Sequence, residues 1–596
     1  MCGILGFVDK NGRLDEGEKS ALLTRMLERI AHRGKDSHGT FIDGKVALAH
    51  ARLSIIDLSP LGHQPMKNAR EDLFLSYNGE IYNHLDVRGL LPSQYSFRSH
   101  SDTETLLCGY EEWGQSVLAH LKGMFAFSVY DRTKQDIFFA VDRFSIKPLY
   151  YIDTPDWFAW SSEAKSLLLL PGVSSELNRE ALSEHLLFRS LAGRETLFRG
   201  IYKMLPSETL RFDLETLEYT QDRYWHLPNE NFSFKWSDHA ATIRNLLEES
   251  VAAHMLADVP VGVQLSGGVD SSLVAALVRK NIPKGQELHS FSIGLNEKEW
   301  NEFPYSRQVS ALLGTIHHEL VFTEEDYCAM LPIATYHYDE PINHSHSVPM
   351  LMLAEEAAKY VKVLMSGEGS DEIFGGYRRY EKLLKAGVTD GNILESSMFE
   401  QRADVSTLLG ETSIHHFAHR DQIIGEVAEK SELFRVGWYD LNTYLTPLLL
   451  RQDKMGMRST LENRVPFLDH DLVKAAFALG DNEKICAGEA KVTLKKVASE
   501  YLPSEIVYRV KVGFSQPIAV WLRNDELFGR YLTMIIRANE RRQLFDQQAI
   551  ERLAREHRAE EKDNAAILWT LINLEIWMKI FIDGEPPEKI WNAVRE

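Results

Sequence analysis

The sequence predicts two units of different fold class: an α+β unit, followed by an α/β unit whose C-terminal part is helical. Residues 1–215 are dense in short runs typical of β-strands, and two helical stretches interrupt them near 17–31 and 103–121. From residue 237 short apolar runs alternate with helical stretches, which favours a doubly wound parallel sheet. Beyond about residue 395 the pattern is mostly helical and carries many charges.

In the first unit the predicted strands come in close succession. Glycine, Asn and Asp, the residues of turns, punctuate them. In chain order the strands are GILGFV, KVALAHARLSIID, DLFLSYNGEIYN, GMFAFSVYD, DIFFAVD, PLYYID and FAWSS. We expect large β-sheets with a few helices, in a domain that spans 1–215.

The stretch at 216–236, TLEYTQDRYWHLPNENFSFKW, is polar and aromatic and has no clear period. We expect it to connect the two domains, so that the second domain spans 237–596. There a helical pattern at 238–255 leads into the strand VPVGVQL, and the runs ELHSFSIGL and YVKVLMSGEG are further short strands beside long helical stretches.

Composition excludes several classes of partner. The 596 residues are too many for one core, and 66 basic against 86 acidic residues give a net charge of −20, which has no general attraction for nucleic acid or anionic membranes. No apolar run approaches the roughly 18 residues of a membrane span, and the N-terminus does not resemble a signal peptide. The four cysteines form no CxxC pair and suggest no disulfide framework, so we expect a reduced cytoplasmic protein that binds small molecules.

The string LSGGVDSS, from Leu265 to Ser272, follows a predicted strand and opens a helix. Gly267 and Gly268 let backbone N–H groups approach a ligand, and the helix N-terminus favours an anion. Hydroxyl donors come from Ser266, Ser271 and Ser272. The string is not a Walker A loop, because GxxxxGK[ST] is absent. It predicts a phosphate cradle.

A second string, LMSGEGSDEIFGGY, again runs from a strand into a glycine turn and then places three carboxylates together. Carboxylates beside a phosphate cradle would repel the ligand unless a cation lies between them. Mg²⁺ prefers carboxylate and phosphate oxygens. We therefore expect Asp270 of the first string and Asp371 of the second to hold Mg²⁺.

The first string resembles the pyrophosphate loop of ATP pyrophosphatases, and the two strings together resemble the synthetase domain of the asparagine synthetases. LENRVPFLDHDLV, KVTLKKVA and YRVKVGFSQPIAVWL match later segments of that family. The resemblance implies that Lys491 neutralises charge on the reacting phosphates, and that Glu368 helps to form the acyl-adenylate or takes a proton from ammonia. The further ATP-binding residues that it implies are Gln264, Leu265, Ile293, Ser366 and Gly367.

Cys2 directly follows Met1. If Met1 is removed, the free α-amine of Cys2, with a pKa of about 7.7–8.0, can serve as the base for its own thiol. The segments AHRGKDSHG, HARLSIID, YNGEIYN and HSDTE follow in order, and with them the chain resembles the class II glutamine amidotransferases, whose nucleophile is an N-terminal cysteine. The resemblance implies an N-terminal-nucleophile fold, in which β-sheets are sandwiched with helices.

Three of these segments, HARLSIID, YNGEIYN and HSDTE, offer groups that suit a glutamine site. Arg52 can clamp the α-carboxylate of glutamine with a bidentate fork, and Glu80 and Asp102 can hold its α-ammonium. Asn78 through its side chain and Gly79 through its N–H can form an oxyanion hole. The resemblance adds Leu53 and Ile55 as glutamine-binding residues.

The sequence therefore predicts a ligase that hydrolyses glutamine in its first domain and transfers the ammonia to a carboxylic acid adenylated with ATP and Mg²⁺ in its second. We expect the acid to be aspartate, which would make the product asparagine. One alternative keeps the chemistry but takes another acid, such as a uronic acid sugar or a cell-wall diamino acid, since His344 and His346 depart from the family pattern in the acceptor segment. The other is an inactive, glutamine-binding regulatory protein. The family often forms homodimers.

Overall fold

The computed structural model of the protein describes residues 2–230, 238–296, 301–410, 417–510 and 516–596. Three features of the sequence analysis lie partly or wholly outside these residues: Met1, on whose removal the role of the Cys2 α-amine depends, residues 231–236 of the expected connection, and residues 511–515 of the segment YRVKVGFSQPIAVWL. All the predicted site residues are described.

Residues 2–230 form two six-stranded antiparallel sheets. The strands are β1 (Gly3–Asp9), β2 (Ser37–Asp43), β3 (Val46–Arg52), β4 (Met66–Lys67), β5 (Leu73–Ile81), β6 (Gly123–Asp131), β7 (Asp136–Val141), β8 (Tyr150–Asp153), β9 (Trp157–Ser161), β10 (Tyr202–Lys203), β11 (Glu208–Asp213) and β12 (Tyr219–Arg223). The first sheet has the order β10-β8-β9-β1-β3-β2 and the second β12-β11-β7-β6-β5-β4. The helices are α1 (Glu16–Ile30), α2 (His84–Leu90), α3 (Asp102–Trp113), α4 (Ala164–Leu167) and α5 (Leu182–Phe188).

The two sheets face each other across an apolar core that includes Ile4, Trp160 and Phe139. Helix α1 packs on the other face of the first sheet, and α2 and α3 pack on the outer face of the second. Strand β1 is buried along its whole length, because it lies between β3 and β9 in the middle of one sheet and between the second sheet and α1. The predicted sandwich of sheets and helices is confirmed, and it fixes the position of Cys2 at the start of a central strand.

Three of the local differences from the sequence-based expectations concern predicted segments of the first unit and of the connection. The predicted strand KVALAHARLSIID stops at Arg52, and residues 53–57 leave the sheet as a buried loop. The predicted helix near 103–121 ends at Trp113, because Gly114 has φ +56°, and a 3₁₀ turn follows it. The expected connection contains a strand, Tyr219–Arg223, that pairs with β11 at the edge of the second sheet.

The second unit is built on a five-stranded parallel sheet of order β15-β14-β13-β16-β17. In the described part of 238–596 the strands are β13 (Val261–Gln264), β14 (His289–Gly294), β15 (Ile316–Val321), β16 (Val363–Met365), β17 (Glu462–Arg464), β18 (Ile485–Cys486) and β19 (Glu489–Ala490). Its first helices are α6 (His239–His254), α7 (Val269–Asn281), α8 (Phe303–Leu313), α9 (Glu324–Tyr338), α10 (Ser347–Ala357), α11 (Ser370–Phe374), α12 (Arg378–Ala386) and α13 (Asp390–Ser396).

The C-terminal part is mostly helical, as predicted. It comprises α14 (Arg402–Leu409), α15 (Ala418–Gly425), α16 (Glu432–Asn442), α17 (Leu445–Arg458), α18 (His470–Ala478), α19 (Asp481–Lys484), α20 (Val492–Ala498), α21 (Ser504–Val507), α22 (Ile518–Trp521), α23 (Arg530–Arg542), α24 (Gln547–Arg558), α25 (Ala565–Phe581) and α26 (Pro587–Arg595). Within the described residues, no helix combines the length and the apolarity that crossing a bilayer requires.

The order of the parallel strands creates a crevice. The chain adds β14 and β15 on one side of β13, and β16 and β17 on the other, so the direction of winding reverses between β13 and β16. In such sheets ligands bind outside the carboxyl ends of the strands at this point of reversal. The loops that follow β13 and β16 are the two glycine-containing strings of the sequence analysis, so the doubly wound fold is confirmed and both strings lie at its crevice.

Candidate active sites

Cys2 lies at the end of the first sheet, where β1 begins, and is 7% exposed. Its backbone nitrogen donates a hydrogen bond of 2.9 Å to Asn78 Oδ1, and its Sγ lies 3.8 Å from the carbonyl oxygen of Leu53. Burial raises the pKa of the Cys2 thiol above its usual value. A thiol in this environment needs a base to become a nucleophilic thiolate at neutral pH.

Asn78 offers a hydrogen-bond donor next to that thiol. The residue is fully buried on β5, and its Nδ2 has no hydrogen-bond partner within the described residues. A buried donor without a partner costs about 1–3 kcal/mol, so native structures keep one where a ligand supplies the acceptor. Gly79 follows on the same strand, packed so closely against β6 that a Cβ would lie 2.2 Å from the carbonyl oxygen of Met124.

Arg52 ends β3, and the chain after it folds back over its guanidinium group. The guanidinium donates hydrogen bonds to the carbonyl oxygens of Ser59 at 2.8 Å and of Asp57 at 2.5 Å. The loop from residue 53 to residue 57, between Arg52 and its acceptor at Asp57, is buried and includes Leu53 and Ile55, two of the predicted glutamine-binding residues. The contact of Cys2 Sγ with the Leu53 carbonyl oxygen places this loop, and with it Arg52, beside Cys2.

Two predicted glutamine-binding carboxylates, Glu80 and Asp102, lie close to each other on the same side of the unit, and Glu80 also acts on Cys2. Asp102 begins α3, and its Oδ2 accepts hydrogen bonds from the Tyr77 hydroxyl at 2.7 Å and the Ile81 N–H at 2.9 Å. Burial, with the nearby Glu462 and Asp102, raises the pKa of Glu80 well above its usual value. One oxygen of Glu80 has no hydrogen-bond partner in the described part of the chain. Arg464 lies 3.7 Å from Glu80 and also pairs with Glu462, so one guanidinium group faces three carboxylates, and an ammonium group bound here would supply further positive charge.

In the second unit the two glycine-containing loops touch each other. Gly267 has φ +74°, and a Cβ on it would lie 2.6 Å from the backbone of Tyr305. A Cβ on Gly367, in the other loop, would lie 2.8 Å from the backbone nitrogen of Ser271. Only glycine allows both approaches. Gly268 N-caps α7, and the Ser266 hydroxyl accepts from its N–H at 3.2 Å and lies 3.0 Å from the Ser271 hydroxyl.

Lys491 joins the carboxylates of the two loops. Its Nζ lies 2.7 Å from both carboxylate oxygens of Asp270 and 2.6 Å from Oδ1 of Asp371. Lys491 is 5% exposed and has φ +59° immediately before α20, a left-handed backbone conformation that is uncommon for residues other than glycine. Two carboxylates that converge on one cation form a donor set of the kind that Mg²⁺ takes, so these residues fit the expected metal.

A cavity of about 280 Å³ opens beside the loops. Gln264, Leu265, Ser266, Ile293 and Glu368 of the predicted site line it. Ser366 is buried next to it, and its N–H donates to the carbonyl oxygen of Arg464 at 3.0 Å. The structure therefore brings the predicted nucleotide-binding residues together at one crevice.

Glu368 is held by two residues that the sequence analysis did not single out. Its Oε2 accepts hydrogen bonds from Arg451 Nη2 at 2.7 Å and from Gln452 Nε2 at 2.9 Å. Both donors lie on α17, in the run RQDK, where four polar residues follow one another inside a helix and all are buried. Four consecutive residues cover the whole circumference of a helix, so some of them had to face the interior. The run RQDK was therefore the sequence feature from which these two residues could have been found.

The two histidines of the acceptor segment have different surroundings. His346 lines the cavity that also contains Glu368. His344 packs its ring against Phe399 and Tyr444, with centroid distances of 5.6 and 5.3 Å. Burial lowers the pKa of both rings, that of His346 to about 3, so both are neutral at pH 7. Of the two, His346 is the one that lies where an acceptor could reach it.

Comparison with known proteins finds a family for each of the two units. Residues 1–225 match the family model of the glutamine amidotransferase domain, and residues 242–579 match that of asparagine synthase. The chain is 31% identical to asparagine synthetase [glutamine-hydrolyzing] 1 of Bacillus subtilis over 100% of this chain and 99% of the relative. It is 32% identical to a putative asparagine synthetase [glutamine-hydrolyzing] of Mycobacterium tuberculosis, over 98% of both chains, and 29% identical to asparagine synthetase B of Escherichia coli, over 87% and 82%. The chain belongs to the asparagine synthase family.

Proposed function

We propose that this chain is a ligase that synthesises asparagine from aspartate, glutamine and ATP, with AMP and pyrophosphate as the other products. The observation that carries the proposal is the convergence of Lys491 on Asp270 and Asp371 between two glycine loops, beside a cavity that contains Glu368. A separate, buried Cys2–Asn78 pair in the other unit supplies a second reaction site. In this proposal residues 1–215 hydrolyse glutamine, and residues 237–596 activate the acid and form the amide.

In the first site the Cys2 thiol attacks the side-chain carbonyl carbon of glutamine. Removal of Met1 turns the backbone nitrogen of Cys2, which donates to Asn78 Oδ1, into an α-amine. This amine takes the proton of the thiol and passes it to the departing ammonia. The unpartnered Asn78 Nδ2 and the Gly79 N–H stabilise the oxyanion. Water then hydrolyses the thioester, which releases glutamate and restores the thiol.

Arg52, Glu80 and Asp102 hold the other end of glutamine in this proposal. The Arg52 guanidinium is oriented by two loop carbonyls, and it binds the α-carboxylate. The two acidic side chains bind the α-ammonium, which compensates the charge of a buried acidic cluster. Leu53 and Ile55 form the wall behind Arg52.

In the second site an oxygen of the acceptor carboxylate attacks the α-phosphorus of ATP, and pyrophosphate leaves into the cradle of Ser266, Gly268 and Ser271. Lys491 offsets the charge of the phosphates, and Mg²⁺ held by Asp270 and Asp371 would supply further charge neutralisation when bound. Ammonia then attacks the acyl carbon, and AMP leaves. Glu368, oriented by Arg451 and Gln452, accepts the proton that ammonia loses.

A second acceptor remains a candidate, because His346 lines the cavity beside Glu368. A neutral imidazole offers one donor and one acceptor, which would suit a hydroxylated acid as well as aspartate. In that case the same chemistry would amidate a uronic acid sugar or a diamino acid.

The test is glutamine-dependent release of pyrophosphate across a panel of acids, with the amide product identified by mass. The proposal predicts fast turnover with aspartate and asparagine as the product. Turnover with another acid but not with aspartate would favour the second candidate. Glutamine binding without hydrolysis or pyrophosphate release would indicate the regulatory protein instead.

A further inference from the structure

Arg33 connects the nucleophile of the first site to the second unit. It ends the 3₁₀ turn Ala31–Arg33 after α1, and its side chain is fully buried. Its Nε donates a hydrogen bond of 3.0 Å to the carbonyl oxygen of Cys2 itself. Its Nη1 donates to Glu163 at 3.1 Å, and its Nη2 donates to Asp453 of α17 at 2.8 Å.

Asp453 is the next residue after the two that hold Glu368. Arg451 and Gln452 bind the Glu368 carboxylate, and Gln452 Oε1 also accepts from Gln264 Nε2 at 3.3 Å. Because consecutive residues of a hydrogen-bonded helix move together, a shift of α17 at Glu368 also shifts Asp453. An unbroken series of short contacts therefore runs from the backbone of Cys2 through Arg33 and α17 to Glu368.

The pair has the rigidity that transmission requires. Both side chains are fully buried, and Lys147 Nζ lies 3.5 Å from the second oxygen of Asp453. Burial opposes the charge of Arg33, but Asp453 and Glu163 outweigh it and raise the pKa of the guanidinium, so the charge is kept. Because the pair has no access to water, neither charge can be solvated if the pair breaks. Arg33 therefore stays bound to Asp453 when α17 moves.

We propose that Arg33 and Asp453 form a positioning pair that couples glutamine hydrolysis at Cys2 to occupancy of the second site at Glu368. This inference rests on the proposed function. When the adenylated acceptor engages Glu368, α17 and Asp453 take a new position, and Arg33 transmits it to the Cys2 carbonyl and so to the placement of the thiol against Asn78. Glutamine is then hydrolysed in step with amide formation.

A second ion pair between the units serves as a matched control. Lys122 and Asp471 are 2.5 Å apart and also join the two units, but both are partly exposed, and neither contacts a residue of either site in the described structure. Asp471→Asn and Asp453→Asn thus remove the same charge from the same unit at an interface between the same domains.

The experiment measures glutamate and pyrophosphate formed by the full chain and by each variant, with glutamine or with ammonium chloride as nitrogen source. Asp453→Asn is expected to keep ammonium-dependent synthesis within about threefold of the parent. Its ratio of glutamate to pyrophosphate should rise by about fivefold or more, the lower end of coupling between sites. Asp471→Asn should keep the parent ratio.

An unchanged ratio in Asp453→Asn overturns the coupling, whatever the stability of the variant. If that variant also loses ammonium-dependent synthesis, Arg33→Lys decides, because it keeps the charge but cannot hold Cys2, Glu163 and Asp453 together, and a parent ratio there overturns the inference. A parent chain that forms amide with neither nitrogen source refutes the proposed function, and the coupling falls with it. Amide formation with unchanged ratios refutes the coupling alone.

Discussion

Replacement of Asn78 by alanine separates catalysis from stability. In the structure Asn78 Oδ1 accepts one hydrogen bond from Cys2, and Nδ2 is a buried donor without a partner in the described residues. The variant loses one hydrogen bond, about 0.5–1.5 kcal/mol, and also loses an unsatisfied donor that costs about 1–3 kcal/mol. These contributions have opposite signs and together lie between a loss of about 0.5 kcal/mol and a gain of about 2.5 kcal/mol, so the free energy of unfolding should not fall by more than about 0.5 kcal/mol.

Glutaminase activity should respond very differently. Loss of one oxyanion donor lowers kcat by about 10²–10³, which corresponds to about 2.7–4 kcal/mol of transition-state stabilisation. The assay is release of glutamate from glutamine without ATP, together with thermal unfolding of the same sample. Synthesis from ammonium chloride should be unaffected, since Asn78 lies in the other unit.

Asn68 provides the control. It is equally an asparagine, buried in the same domain, but its side chain donates to Asp72 at 2.7 Å and accepts from the Leu73 N–H at 3.2 Å. Asn68→Ala should therefore lower stability by about 1–3 kcal/mol and leave the kcat of the folded fraction unchanged. A glutaminase kcat within tenfold of the parent in Asn78→Ala would refute the oxyanion role.

Four further outcomes are expected. Cys2→Ala should abolish glutaminase activity and leave ammonium-dependent synthesis, and hydrolysis retained in that variant would contradict the assignment of the nucleophile. Asp270→Asn should abolish pyrophosphate release at ordinary Mg²⁺ concentration while glutaminase survives, and parent activity there would show that Asp270 holds no metal. His346→Ala should raise the acceptor KM or lower kcat without changing glutaminase activity, whereas parent kinetics would make this ring a bystander. Burial lowers the pKa of His50 to about 3, so the folded protein binds fewer protons at this residue than the unfolded chain does. The contribution of His50 to the free energy of unfolding should be intact above pH 6.5 and lower by about 2 kcal/mol at pH 5. In an acid unfolding titration, His50→Gln should lack this loss of stability, and a profile identical to that of the parent would contradict it.

Much of the architecture was predictable from patterns of neighbouring residues. Alternating apolar runs and turn residues placed most strands of the first unit, and the glycine string at Gly267 marked the turn between β13 and α7. The strands β15 and β17 were not predicted. Strand β17 has only three residues within a helical region and becomes a strand because it pairs with β16. No local pattern carries that information, since edge pairing depends on the rest of the sheet.

The sequence by itself determined which groups are available: a cysteine at position 2, a phosphate-type loop after a strand, and a carboxylate string after another. These are short-range features, in which residue type and backbone conformation act within one turn. Only the tertiary structure decided which groups meet. Lys491 reaches Asp270 across 221 residues, and Asp453 reaches Arg33 across 420. Such contacts depend on the order of strands in the sheet and on which side chains stay charged when buried, and both are settled by the packing of the whole chain.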